Sequence, residues 1–417
     1  MLYICDLHIH SRYSRACSKD LTLENIDKWA KFKGIQIVGT GDFTHPKWFK
    51  EIESQLEETQ PGLYKLKGSA TGTLFMLTAE IACIYSQGGK GRRLHICLLA
   101  PHLDFARKLN QKLTERGCNL NSDGRPIIGL SAKELLKICL EIDENHLTIP
   151  AHAWTPWFAI FGSKSGFDSI EECYGELSKN IYAIETGLSS DPPMNWRLSN
   201  LDKIALVSNS DAHSLPNFGR EANAFDLASP SFAEIRQIIT NRDKKKFLYT
   251  IEFFPEEGMY HFDGHRECQI SFSPAETKKN QGICPKCKKP LTIGVLNRVD
   301  VLADRQNSQI KKDNFIPYKS LIPLQEIIAD CLDVGKQSKK VQQEYFNLIN
   351  RGQSEFNILL NMSPQDLNGL VSPRIIEAII RVREGRVKLI PGFDGQYGKI
   401  EIFSQTEKKQ NSQSKLF

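Results

Sequence analysis

Apolar positions along the first 250 residues fall into short β-branched runs separated by longer stretches of helical period. The short runs predict strands over 2–6, 35–41, 73–84, 94–99, 148–152, 181–186 and 205–210. Between them, residues 23–32 read as an amphipathic helix capped by Thr22. Residues 131–141, with Leu135, Leu136, Ile138 and Leu140 in phase, read as another behind a serine cap. Strand and helix alternating some seven times predicts a parallel α/β architecture, either a barrel or a doubly wound sheet. Past residue 252 the alternation stops and the chain turns aromatic and acidic. A compact Cys/His segment follows over 265–295, then helical patterns over 324–329, 341–349, 364–370 and 373–383, the last two opened by proline. Residues 387–390 and 398–403 read as a hairpin, and the polar composition of 404–415 predicts a disordered tail. The division expected is therefore 1–255, 256–300, 301–403 and 404–417.

Composition narrows the class. Hydrophobic residues make up 40% and charged residues 25% of the 417, which excludes collagenous, coiled-coil and wholly disordered chains. No run of about 18 apolar residues is present, so no membrane-spanning helix is expected. Met1-Leu2-Tyr3-Ile4-Cys5-Asp6 runs straight into a strand, which argues against a secretory signal. The eleven cysteines are odd in number and scattered, several inside apolar runs (Cys5, Cys83, Cys97, Cys139, Cys173). That usage fits free thiols in a reducing compartment, the cytoplasm and its nucleoid, better than a disulfide scaffold. The net charge of +5 is unevenly placed. Glu256 onward carries 24 Lys+Arg against 19 Asp+Glu, leaving 30 of each before it. A mildly basic C-terminal part suits a polyanion partner, although a solvated surface explains it equally well.

The chemistry begins with His8-Ile9-His10, where i and i+2 can present both imidazoles to one cation. Asp211-Ala212-His213 repeats the pattern after the last predicted strand. Glu80, His95, His152 and the pair Asp42/His45 each fall near a strand end, where a closed barrel gathers its active site. Nitrogen and oxygen ligands of this kind suit zinc, manganese or iron. Two or three such ions would activate water and stabilise charge on the attacked and leaving oxygens of a phosphoester. His102 and His146 are set aside as ordinary polar residues.

These segments, Asp6-Leu7-His8-Ile9-His10, Ala79-Glu80, Leu94-His95, Ala151-His152 and Ser210-Asp211-Ala212-His213, resemble the successive motifs of the PHP (polymerase and histidinol phosphatase) superfamily. The resemblance implies a distorted seven-stranded β/α barrel over about 1–250. It implies one metal on His8, His10, Glu80 and Asp211, a second on Glu80, His95 and His152, and a third held partly by His213. Glu80, Asp211 and His213 would then be the catalytic residues. Gly41-Asp42-Phe43 stands where the superfamily has Thr-Asp-His, leaving Asp42 and His45 as alternatives.

His265-x2-Cys268-x15-Cys284-x2-Cys287 has the spacing of a zinc ribbon, a closed and therefore structural site, with His261 an alternative to His265. This segment, with Gly294-Val295-Leu296-x-Arg298-Val299 and Gly39-Thr40-Gly41-Asp42-Phe43-Thr44-His45-Pro46, resembles the endonuclease Q family of that superfamily. The family's order is barrel, zinc module, then an α+β C-terminal DNA-binding domain. The resemblance implies nicking of DNA 5′ of deaminated bases (uracil, hypoxanthine, xanthine) and abasic sites, with zinc in both centres and Mg or Mn as activity requires. Trp154, Trp157 and Phe158, just past His152, are candidates for stacking on a flipped base, and equally for packing under the loop. Lys286–Lys289, Arg298, Arg305 and the cations of 381–388 are candidate phosphate contacts, each singly no more than surface by default. The C-terminus Gln413-Ser414-Lys415-Leu416-Phe417 resembles the peptide by which bacterial DNA enzymes dock onto the sliding clamp. Competing readings are a small-molecule phosphomonoesterase of histidinol-phosphatase type and a non-catalytic DNA-binding adaptor.

Overall fold

The run Leu2–Asp6 forms strand β1 in the computed structural model, which describes residues 1–404 and 406–408. The other strands are β2 (Ile37–Gly39), β3 (Leu56–Gln60), β4 (Leu63–Leu66), β5 (Leu74–Met76), β6 (Thr78–Gln87), β7 (Lys90–Leu99), β8 (Ile127–Ile128), β9 (Leu147–Pro150), β10 (Ala183–Glu185), β11 (Ala205–Val207), β12 (Ala222–Asp226) and β13 (Phe247–Glu252). C-terminal to these lie β14 (Asp263–His265), β15 (Ile270–Phe272), β16 (Tyr318–Ser320), β17 (Lys388–Ile390) and β18 (Lys399–Glu401). An eight-stranded sheet runs β16-β13-β12-β1-β2-β5-β4-β3, a four-stranded one β8-β6-β7-β9, and β10 pairs with β11.

The fold is mixed α/β, and the parallel sheet expected from the alternation needs correcting. β1–β2 and β2–β5 are parallel, but β1–β12, β12–β13, β6–β7 and β7–β9 are antiparallel. The reason is local: Gly88 and Gly89, both at positive φ, make a two-residue turn between β6 and β7, and such a turn can join only antiparallel strands. The single run read over 73–84 is broken at Leu77. β5 stays in the large sheet and β6 enters the smaller one, with Thr78 N donating to Thr40 Oγ1 at 3.1 Å across the join. β12 and β13 escaped the pattern altogether.

The helices follow their sequence signals. Thr22 Oγ1 accepts from Asn25 N at the start of Leu23–Lys33, and Ser131 with Glu134 closes a capping box on Ala132–Ile142. Leu324–Leu332, Lys339–Gly352 and Pro373–Arg383 form the C-terminal helical part, and β17–β18 is its hairpin. This part is not detached. β16 joins the large sheet parallel to β13, so the boundary expected at 301 is crossed by main-chain pairing. Trp29 stacks on Tyr345 at 6.3 Å, and the buried Lys33 Nζ meets Glu355 at 2.7 Å.

Several cations read as phosphate contacts turn out to be ties. Arg298 donates to the carbonyls of Phe161 and Phe167 and to Asp168. Arg305 binds Asp202 and the carbonyl of Trp196. Arg381 pairs with Glu377 and Glu407, and Arg383 donates to the carbonyls of Ile358 and Leu359. Of the tail, Thr406–Lys408 form a helical turn held by Arg381–Glu407 and Lys408–Asp330. Gln413, Leu416 and Phe417 lie outside the described residues. Among the described residues, no helix is long and apolar enough to cross a membrane.

Candidate metal centre

His8 and His10 emerge past β1, and Asp211 and His213 past β11. Ile9 and Ala212 form a parallel bridge, with His10 N on the carbonyl of Ala212 at 3.2 Å. The two x positions pair, so the flanking ligands of both motifs crowd together. Glu80 on β6 and His95 on β7 share a sheet face, since His95 pairs with Ala82. Ala151 N donates to the carbonyl of His95 at 3.0 Å, which brings His152 alongside.

Two ligand groups result, His8/His10/Glu80/Asp211 and Glu80/His95/His152, the atoms of each within 4.8 Å of one another. Glu80 belongs to both. Its Oε2 lies 3.3 Å from His10 Nε2 and 3.7 Å from His8 Nε2; its Oε1 lies 2.8 Å from His95 Nδ1 and 3.2 Å from His152 Nε2. Asp211 Oδ1 is 3.1 Å from His10 Nε2 and 3.7 Å from His8 Nε2. His8 shows how the ring is aimed. Glu185 holds Nδ1 at 3.0 and 3.1 Å, while the buried Nε2 finds no hydrogen-bond partner and points among the carboxylates. A buried ring nitrogen left unpartnered between carboxylates is what a metal cation would satisfy in place of a proton. Cys97 and Glu185 flank the other side of His8, but burial pushes the Cys97 thiol up, so it stays protonated and is a poor ligand.

Burial pulls His95 down to about 4, against the pull of Glu80, so this imidazole is neutral at physiological pH and free to ligate. Burial opposes ionisation of Glu80, yet the charges of Arg125 and His8 hold it well below the usual carboxylate range. Asp211 is likewise held low against burial, by the hydrogen bond from His10 and the charges of His8 and His10. Both carboxylates stay ionised.

The backbone is strained where these ligands sit. Asp42 (φ 51°), His152 (φ 29°) and Asp211 (φ 45°) all occupy the left-handed region, a pattern that clusters at functional sites. At Gly187 a Cβ would lie 2.6 Å from the Cβ of His152, so only glycine lets this loop press against that ligand.

The other expected site residues are placed differently. Asp42 Oδ1 accepts from His10 Nδ1 at 3.0 Å and therefore orients a ligand, as Glu185 orients His8. His45 stacks on Tyr13 at 4.5 Å, and His213 packs its ring 4.6 Å from His10 with Nδ1 on the carbonyl of Asp211. Among the described residues, no three-ligand group contains Asp42, His45 or His213. Trp154 is fully buried with Nε1 on Asn195 Oδ1 at 2.7 Å, so the expectation that it stacks on a base gives way to a core role. Phe158 covers His95 at 4.6 Å, and the exposed Trp157 meets Tyr260 edge-on at 5.5 Å. Glu185 and Arg125, whose Nη1 lies 3.0 Å from Glu80 Oε2, were missed. The signal for Glu185 was legible: an acid in an apolar run near a strand end, as at Glu80.

The second centre gathers His265, Cys268, Cys284 and Cys287 within 4.8 Å. His261 lies outside it, buried against Phe262. Against burial, the backbone N–H groups of Cys287 and Lys286 bring the Cys284 thiol down, as a knuckle does for a metal-binding thiolate.

Residues 323–386 match the family model of the MJ0043 C-terminal domain. The chain is similar to the lesion-specific endonuclease PfuEndoQ from Pyrococcus furiosus, at 32% identity and TM-score 0.85 over 99% of both chains. It is also similar to a structure of endonuclease Q complexed with a 27-mer duplex bearing an abasic lesion at the active site. That match has 33% identity and TM-score 0.84 over 97% of this chain and 98% of the other. Two relatives carry no described function. YqxK of Bacillus subtilis is 28% identical over 95% of this chain and 98% of its own. MJ0043 of Methanocaldococcus jannaschii is 31% identical over 64% of this chain, and the aligned part spans about a third of that longer protein (34%).

Proposed function

Because the chain belongs to the endonuclease Q family, we propose that it is a metal-dependent DNA repair endonuclease that hydrolyses the phosphodiester 5′ of deaminated bases and abasic sites. One observation carries the reading. Within a chain that aligns end to end with a solved lesion endonuclease, one carboxylate, Glu80, offers an oxygen to each of two ligand groups.

His8, His10, Glu80 and Asp211 would hold one ion, and Glu80, His95 and His152 the other. Ions there would supply Lewis-acid stabilisation of the phosphate and a lowered pKa for water, zinc, manganese and iron being the candidates by ligand type. The chain's own residues do the positioning. Glu185 and Asp42 fix the rings of His8 and His10 through their Nδ1 atoms. Phe158 and the main chain of the loop past His152 wall the second ligand group. Trp157, past His152, meets Tyr260 edge-on, and the pair is exposed enough to stack on an unpaired nucleotide. A lesion that pairs poorly costs less to extrude, which favours damaged over intact DNA. Structural zinc on His265, Cys268, Cys284 and Cys287 would hold the module that carries the exposed lysines Lys286, Lys288 and Lys289 towards phosphates. Docking on a sliding clamp through Gln413, Leu416 and Phe417 belongs to the same reading and is tested by clamp binding of a chain ending at Glu407.

The deciding assay is nicking on a denaturing gel, with duplexes carrying one uracil, hypoxanthine or abasic site and metal-loaded protein. The expected result is a cut 5′ of the lesion that disappears in Asp211→Asn. Release of phosphate from a small phosphomonoester, with every duplex left intact, would replace the endonuclease by a phosphatase.

A further inference from the structure

The superfamily resemblance implies a third ion near His213, and the residues present do not fit one. Asp42 has no oxygen to spare. Oδ1 serves His10, and Oδ2 accepts from Ser11 N, Ser11 Oγ and Ser14 Oγ at 2.6, 2.6 and 2.9 Å. His45 is turned onto Tyr13 and His213 onto His10. The space beside Asp42 is also filled, since a Cβ on Gly124 would lie 2.3 Å from both Asp42 Oδ2 and Ser14 Oγ. Backbone occupies it instead.

What that backbone delivers is a guanidinium. Asp123 Oδ1 accepts from Arg15 N at 3.1 Å and Arg125 N at 3.2 Å, fixing the loop. Arg125 Nη1 then reaches Glu80 Oε2 at 3.0 Å, the same oxygen that faces His8 and His10. Of its five N–H donors only this one has a side-chain partner among the described residues, and the side chain is 24% exposed beside the ligand groups.

We propose that Arg125 is the third cation of this centre, standing in for an ion and contacting a non-bridging oxygen of the scissile phosphodiester through its free N–H groups. The inference rests on the endonuclease reading above. A guanidinium suits this role because it keeps its charge at every physiological pH. Its planar fork also matches two phosphate oxygens, which the point charge of a lysine does not.

Three measurements on the full chain test it. Metal content after loading and desalting should be about three ions per chain, one for each ligand group and one for the zinc module, and should not change in Arg125→Ala. Nicking by Arg125→Ala should lose roughly 10²–10³-fold in kcat, with KM within a few-fold of wild type. Millimolar guanidinium ion should restore part of that loss while doing nothing for Asp211→Asn. A fourth ion in the wild type, an ion lost from Arg125→Ala, an unchanged kcat, or no rescue would each overturn the proposal. Arg125→Gln serves the same comparisons should the alanine variant fail to fold. If wild type nicks no lesion, the endonuclease reading fails. The metal count and the hydrolysis of bis(p-nitrophenyl) phosphate by wild type and variant would still decide the role of Arg125.

Discussion

Single residues decide whether the candidate centre can hold an ion, and the informative ones stand behind the clustered side chains. Glu185 accepts from His8 Nδ1, from Asn209 Nδ2 at 2.9 Å and from His152 N at 2.9 Å, so one buried carboxylate orients a ligand of each group. Replacing it by glutamine keeps the size but removes the charge and one acceptor. Metal affinity should weaken by about 10–100-fold, the usual cost of losing such an outer partner. Titration with zinc in competition with a chelator measures it, and unaltered affinity would mean that packing alone holds His8. At this scale the meeting of His8, His10 and Asp211 was legible, because His-x-His and Asp-x-His announce their geometry in three residues. Asp42, His45 and His213 were not, because spacing cannot show whether a carboxylate spends its oxygens on neighbouring hydroxyls or a ring lies on an aromatic.

Elements were legible where a cap or a tight turn fixes them and illegible where a run of apolar residues changes sheets. Ser131 with Glu134, Thr22 and the prolines at 364 and 373 mark helix starts in the sequence and in the fold. The clustering of His265, Cys268, Cys284 and Cys287 was legible for a similar reason, since two short pairs at fixed spacing leave little freedom. β12 and β13 were missed, and they carry a further consequence. Glu252 ends β13 fully buried, with Oε2 taking one bond from Thr186 Oγ1 at 2.9 Å and Oε1 taking none. Burial pushes its carboxyl up to about 8, and burial together with Glu252 raises Glu221 as well. An acid whose folded pKa lies above its unfolded value of ~4.3 favours folding fully at low pH. That contribution is lost as pH rises towards 8. Denaturant melts should therefore show stability falling between about pH 5 and pH 9. Glu252→Gln, which imitates the protonated acid, should flatten that slope.

At the scale of the whole molecule, the catalytic part and the C-terminal helices are joined by buried contacts, which a division of the sequence at residue 301 did not foresee. One of these joins is ionic. Lys33, at the end of the helix Leu23–Lys33, is 2% exposed and meets Glu355, itself 4% exposed, at 2.7 Å. Glu355 also accepts from Tyr345 OH at 2.8 Å and from Leu324 N at 2.9 Å, so the carboxylate is shared by both parts. Removing one partner of such a pair leaves a charge in a site that water cannot reach, at a cost of about 3–5 kcal/mol. Lys33→Met should therefore lower stability by that order, because Glu355 then faces an apolar chain. Lys33→Met combined with Glu355→Gln should recover much of the loss, since the amide oxygen still accepts from Leu324 N and its NH2 can donate to the Tyr345 hydroxyl, without a charge. Denaturant unfolding of the two variants checks this, and equal stability in both would show that the helices are held by the stacking of Trp29 and Tyr345 instead. The catalytic consequence runs in the same direction. The helix Leu23–Lys33 leads into β2, and the residues after β2 carry Asp42, which orients His10. Loosening the distant helices should therefore weaken metal retention at His10 before it disturbs the His95/His152 group.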